Sequence, residues 1–558
     1  MNGLTKKIAI FVVVMAAVAA FGWIGRKAWK HYTERNLIAQ AQKDFANKDL
    51  KGADLCLRRV MQINPMSVQG SRMIANLLDA EDSPASISWR IRVVKLEPDN
   101  VTNRYAWVDT ALHVKNLPSA SEALASVPVA YKSSEDYHKL ASAVAWSSGR
   151  LEEAQKECAT ALQMDPTNCS IQLNLATIQL AFTNTAINEL GRAALNKLTT
   201  DPTLGMLALH HLQADAVEHK HYEKALGYSS RIVSRPEATY GDRVEHLQLL
   251  RTTKSADADA WLANLEKTAQ FEPANAYALA RWMILAQSPG YAYQWLCTLP
   301  PNTQTNLAIE LIKTDCQIGM KDWNGLLAAV NSQDWGAQKS FYRQALIALA
   351  QRSLGQDAQS QASWQRALHL ASEEPQNLAL LSQVTAMWGW FPERVQTLQE
   401  VMDRYPDQTW APQQLTAQLY SQGNTQALVD LLTKMQSANP ADPRLKNNLA
   451  NVLLLRRSDL EKACRLASEA YLSATNNPFF ISTYAFSLLV EQKPDQAQKI
   501  IATMNPEFLK IPSVAAYYGV IEANTGHTQL AREPLNRAAK AGLLPEEKAM
   551  VQNAIAHL

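Results

Sequence analysis

The sequence predicts an all-α protein, a solenoid of about fifteen helix-turn-helix units that follows one apolar N-terminal helix and closes with a capping helix. Three observations lead there. A pattern of one small residue followed by apolar residues at i+4 and i+7 recurs from Ala53 to Ala531 in fourteen steps, about 34 residues each. Glycine is scarce, 20 in 558 residues, which disfavours turn-rich β structure. No Pro/Gly/Ser-rich linker or charge run divides a chain long enough for about three or four ordinary domains.

The first element, residues 1–30, is expected to be a signal anchor. Ile8 to Ile24 carries no charge and is flanked by Lys6 and Lys7 before it and by Arg26, Lys27 and Lys30 after it. At 1.5 Å per residue it falls at the lower end of what spans a bilayer, with Trp23 and Trp29 placed for the water–lipid boundary. Ala17-Val18-Ala19 has the small-x-small form of a signal-peptidase site, so a cleaved leader is the alternative; the apolar run continuing through Phe21, Trp23 and Ile24 favours the anchor. Orientation cues conflict. A short basic tail before an apolar run directs the body out of the cytoplasm, whereas Arg26, Lys27, Lys30 and Arg35 outnumber Lys6 and Lys7 and point the other way. The expected location is a bacterial inner membrane, single-pass, with a periplasmic body; the alternative is a cytoplasmic body.

The repeat is clearest at Gly149-Arg-Leu-Glu-Glu-Ala154, followed by Cys158, Ala161 and Asp165-Pro166. Gly149 permits a tight turn between two helices, and Ala154 lets the second approach the first. Cys158 and Ala161 continue the apolar face, and Asp165-Pro166 stops the helix. The same frame returns at Ala463, Ala497 and Ala531, at Ala53 and Ser86 near the start, and at Ala427. Weaker instances fall at Ala120, Ala186, Ala225, Trp261, Ala292, Leu326, Ser360 and Val395. Spacing varies between about residues 170 and 345, so residues 31–345 read as partly degenerate repeats and 346–541 as regular ones. Residues 542–558 read as the capping helix that a solenoid needs at its end.

On these residues the chain resembles the tetratricopeptide repeat family over nearly everything after the anchor. The resemblance implies a right-handed α-solenoid whose extended surface holds other proteins. It also gives meaning to Asn448 and Asn451 in Leu445-Lys-Asn-Asn-Leu-Ala-Asn451, which match first-helix positions where related proteins use amides to hold a peptide backbone or terminal carboxylate. Basic residues are not repeated at matching positions in neighbouring units, so a carboxylate clamp is not expected.

Chemistry is sparse elsewhere. There is no GxxxxGK, GxGxxG, HExxH or GxSxG stretch, and the repeats leave no room for a catalytic domain, so no enzyme, cofactor or small-molecule substrate is expected. A net charge of +2, from 54 basic and 52 acidic residues, offers no footprint for nucleic acid. The six cysteines contain no CxxC and read as small core residues, with a Cys158–Cys169 bridge as the alternative. His210, His211, His219 and His221 read as a solvated turn and its flanks rather than a metal site, because adjacent helical positions diverge by about 100°. Trp107, Trp261, Trp282, Trp295 and Trp364 read as core, whereas Trp146, Trp388 and Trp390 are candidates for an exposed partner anchor.

The function expected from these features is a membrane-tethered scaffold or adaptor for protein partners in a bacterial cell-envelope assembly or secretion system. Residues 410–540 are the expected contact region. The alternative is a cytoplasmic-face regulatory subunit of an envelope biosynthesis or protease complex.

Overall fold

The computed structural model describes residues 26, 28–332, 335–336 and 339–558. Among them every regular element is helical. Fifteen helix pairs follow one another, from residues 28–46 with Leu50–Ile63 to Pro512–Asn524 with Thr528–Ala539, and Pro545–Ala556 ends the chain. The apolar run Ile8–Ile24 lies outside the described residues. Among the described residues no helix is long and apolar enough to cross a membrane, and Trp29 is exposed.

Local sequence explains the pairing. In the fourth pair, Ser134 caps Glu135–Ser147 by accepting from the Tyr137 N–H. The chain then turns at Gly149, whose φ of +73° lies in the left-handed region and whose α-carbon faces open space. Leu151–Met164 follows, with Ala154, Cys158 and Ala161 buried, and ends at Asp165 before Pro166. Asn168 then caps Cys169–Leu180 by accepting from two backbone N–H groups. The small residue allows contact close enough for the Ser142 hydroxyl to donate to the Ala154 carbonyl at 2.8 Å. Ser360, itself at the small-residue position, makes the converse bond, donating to the Ala348 carbonyl of the first helix at 2.7 Å.

The left-handed turn residue repeats through the chain. It is Gly at 149, 355, 389, 423 and 526, but Lys at 48, 115, 220, 254 and 321, Asp at 82, Arg at 457 and Gln at 492. Its spacing is near 34, including Lys220 to Lys254 inside the stretch whose sequence looks degenerate, except that Gly149 to Lys220 and Lys254 to Lys321 are each about two units apart. The residue five positions later is the buried one at Ala53, Ala120, Ala154, Ala225, Leu326, Ser360, Ala497 and Ala531, each fully buried.

The observed burial corrects four sequence expectations. Ala186 is exposed, and Asn188 is the buried residue, donating to the Leu180 and Phe182 carbonyls at 2.7 and 2.9 Å. Ala427 is half-buried and Leu428 takes its place, while Val395 and Trp261 are also half-buried, beside Thr397 and Leu262. In each case the misplaced residue was small or apolar but one or two positions out of phase. A shift of one position rotates a helical side chain by about 100°. Ala463, by contrast, is fully buried where expected.

The chain forms two compact units, Met1–Trp282 and Met283–Leu558. In the first, small separate clusters follow the chain, such as Trp107 with Val108 and Ala120, then Ala154 with Cys158 and Ile171. In the second, one large cluster runs from Leu326 to Leu544, across the point near residue 345 where the sequence becomes regular.

Candidate protein-binding face

In the fourth to seventh pairs, the first helices place matching positions side by side. Lys139, Asn174, His210 and Glu245 succeed one another at intervals of 35, 36 and 35, and Ser142, Thr177, Gln213 and Gln248 follow the same frame. One residue beyond the second set lie Ala143, Ile178, Ala214 and Leu249. The result is a polar row beside an apolar one, crossing four helices.

Two cavities open on this face. The smaller, about 180 Å³, is lined by Lys139, Ser142, Trp146, Asn174 and Thr177, with Cys158 and Ile171 beneath. Trp146, 39% exposed, stands at its edge as the sequence suggested. The larger, about 860 Å³, lies between Gly205–Glu218 and Tyr240–Thr252. Val217 and Leu249 give it an apolar surface, and Glu218, Asp242 and Glu245 give it carboxylates. Its polar groups are tied across the pair boundary: His210 Nε2 lies 2.8 Å from Asp242 Oδ1, and Gln213 Nε2 donates to Glu245 Oε2 at 2.9 Å. Burial alone would raise the Asp242 carboxyl; hydrogen bonds from the Thr239 N–H and hydroxyl and from His210 outweigh it and hold the group below its ordinary value.

The other sequence candidates lie elsewhere. Trp390, expected at the surface, is 7% exposed, packed edge-on against Trp364 and Trp388 with the Arg352 guanidinium 3.7 Å above its ring. Arg352 also bonds Glu393, so the group that covers Trp390 is itself held in place. Trp388 is half-buried in the same cluster. Asn448 is exposed, but Asn451 is half-buried and its Oδ1 accepts from the Tyr517 hydroxyl at 2.5 Å, two pairs further along.

Trp107 and Trp364 are core residues whose indole N–H groups donate to Ser119 and to Gln396. Trp261, Trp282 and Trp295 are half-buried. Two of the four clustered histidines take polar partners of their own, His210 with Asp242 and His219 with the Asp215 carbonyl at 2.9 Å; burial lowers His211, and the His221 ring stacks on that of His219. His219, Lys220 and His221 form the inter-helix turn, as read from the sequence. All six cysteines are free thiols, and burial pushes Cys158 up to about 11.

The sequence reading places His210 on the flank of a solvated turn and does not single out Gln213, Glu245 or Gln248. None stands out alone, and the signal is the recurrence of their positions at 35 or 36 residues on successive first helices.

Fold and face together define a tandem helix-pair repeat protein, similar in unit length and helix pairing to the tetratricopeptide repeat family. No family model matches the chain, and no curated protein does. Solved structures that it is similar to include one described as the functional characterization of Pseudomonas aeruginosa pilF, at 13% identity, covering 42% of this chain and 99% of that one, with a TM-score of 0.30. Another is the APC/C hetero-tetramer Cut9-Hcn1, at 11% identity, covering 83% and 98%, with a TM-score of 0.29. The assignment of type rests on the helix pairs and their spacing, not on these scores.

Proposed function

We propose that this chain is a scaffold that binds partner proteins on the first-helix face between residues 135 and 252, and that it catalyses nothing. The observation that carries this reading is the cavity of about 860 Å³ between two first helices, with its apolar surface and three carboxylates. Stacked helix pairs offer an extended surface, and this one accepts a segment that inserts an apolar side chain and a lysine or arginine. Trp146, standing about two helices away, supplies an aromatic contact for the same segment.

Photo-crosslinking residues placed at Asn174 and Gln248 in the native cells test this. The expected result is a discrete protein adduct from both positions and none from the exposed second-helix positions Glu223 and Lys224. Equal adducts from both faces would overturn it.

The tether belongs to the same proposal. Ile8–Ile24 holds the scaffold on a bacterial inner membrane, with the repeats outside the cytoplasm, in an envelope assembly or secretion system. The basic residues after the apolar run favour a second reading, a cytoplasmic-face regulatory subunit. C-terminal reporter fusions separate the two: activity of a reporter that works only in the periplasm supports the first, and activity of one that works only in the cytoplasm supports the second.

A further inference from the structure

The C-terminal helix Pro545–Ala556 packs on Pro512–Asn524 and Thr528–Ala539, and its first turn also reaches back to helix pairs twelve and thirteen. Glu547 is fully buried there. Its Oε2 accepts from the Leu544 N–H and from the Tyr420 hydroxyl, both at 3.1 Å, and its Oε1 lies 2.8 Å from the Tyr517 hydroxyl. Glu546 Oε1 accepts from the Thr425 hydroxyl at 2.6 Å, with the Arg456 guanidinium 3.9 Å away. Arg456 is held by bonds to Thr425 and Gln426 at 2.9 and 2.7 Å. Pro545 lies so close to Gly423 that a β-carbon there would meet its ring at 2.8 Å.

This seat is built on the repeats and is filled incompletely. Helix Trp410–Ser421 and the start of the C-terminal helix leave a cavity of about 900 Å³ between them, lined by Gln413, Thr416, Tyr420 and Lys548. Glu546 Oε2 is buried without a partner. The Tyr517 hydroxyl has one proton for two acceptors, Glu547 and Asn451. The Glu547 carboxylate is bonded to neutral groups only, so burial keeps its carboxyl above the ordinary value and weakens the closed state at neutral pH.

We propose that Tyr420, Thr425, Arg456 and Tyr517 form a second partner site, for a segment with two adjacent carboxylates behind a proline, and that the chain's own C-terminal helix closes it until such a segment displaces it. Charge and shape support that occupant, because the sequence Leu544-Pro545-Glu546-Glu547 already sits there as an internal copy. The proposal does not depend on the face between residues 135 and 252.

The test uses the full chain and a labelled peptide of residues 541–558. Glu547→Arg removes the internal carboxylate but leaves the receiving side chains intact. The peptide is expected to bind this variant at least tenfold more tightly than the unaltered protein, and a peptide with both glutamates changed to alanine, which has no acceptor for the hydroxyls of Tyr420, Thr425 and Tyr517, is expected to lose that binding. Equal binding to both proteins, no binding to the variant, or equal binding of the alanine peptide would each overturn the proposal.

Hydrogen exchange gives an independent reading that does not rely on Glu547→Arg folding. Gly423→Ala pushes against Pro545, whereas Gly389→Ala meets nothing within 4 Å. Exchange of residues 545–556 is expected to rise at least tenfold in the first variant and to stay unchanged in the second. Equal exchange in the two variants would show that the helix is not held at this seat.

Discussion

At the scale of single residues, the inter-helix turn sets the register. Gly149 has a left-handed backbone and open space around its α-carbon, so Gly149→Ala costs only backbone strain, about 1 kcal/mol. Lys254 sits in the same conformation at φ +56°, and Lys254→Gly is expected to stabilise its turn by about 0.5–1 kcal/mol. Local opening free energies from hydrogen exchange check both signs; a destabilising Lys254→Gly would mean that its side chain contributes more than the strain it causes. These residues also mark what was legible. Gly149 and Gly526 announced their turns because glycine favours the left-handed region, whereas Lys48, Lys115, Lys220, Lys254 and Lys321 hold it under tertiary constraint that no local preference reveals. Trp390 was misread for a related reason. Much of its cover, Arg352 and Trp364, comes from the preceding helix pair, so the neighbouring Trp388 and Glu393 do not by themselves announce it.

At the scale of elements, Asn448 and Asn451 separate. Asn451→Ala removes the acceptor that competes with Glu547 for the Tyr517 proton and is expected to hold the C-terminal helix more tightly by about 0.5–1.5 kcal/mol, whereas Asn448→Ala leaves it unchanged. Exchange of residues 545–556 in the two variants distinguishes them, and identical profiles would mean that the Tyr517 contact contributes nothing. The sequence motif identified both amides, but it could not show that a tyrosine 66 residues later takes one of them.

The same helix is expected to have an unusual pH dependence. Burial is the largest influence on Glu547 and raises its carboxyl above the ordinary 4.5, against hydrogen bonds from Tyr517, Leu544 and Tyr420. A folded-state value above the unfolded one means that the contribution is fully present below about pH 4.5 and is lost as pH rises through the folded value. Glu522 is raised chiefly by burial too, and contributes in the same sense. Glu547→Gln keeps a neutral hydrogen-bonding group and is expected to flatten this dependence, leaving the smaller slope due to Glu522. Opening of residues 545–556, followed by exchange between pH 4.5 and 7.5 and corrected for the intrinsic rate, measures it; an unchanged slope would assign the titration elsewhere.

At the scale of the whole molecule, each helix pair contacts chiefly its neighbours, so damage should remain local. Ala154→Asp puts an unpaired carboxylate where Ala154 is fully buried and is expected to cost about 3 kcal/mol or more. Increased exchange should centre on residues 135–198 and leave 340–540 unchanged; uniform destabilisation of both compact units would contradict a nearest-neighbour array. The period and the all-helical class were legible because one unit's pattern recurs across the chain. The proposed partner face was not, since it arises only when four first helices lie side by side.

The reach of the C-terminal turn also bears on how the chain is made. Packing between adjacent pairs lets the protein fold progressively during synthesis, each pair settling on the one already out of the ribosome. The contact between Tyr420 and Glu547 spans 127 residues, and that between Thr425 and Glu546 spans 121. Those bonds form only once Glu546 and Glu547 have been made and have left the ribosome, so a chain cut short by premature termination before Leu544 emerges with the Tyr420–Thr425 seat uncovered.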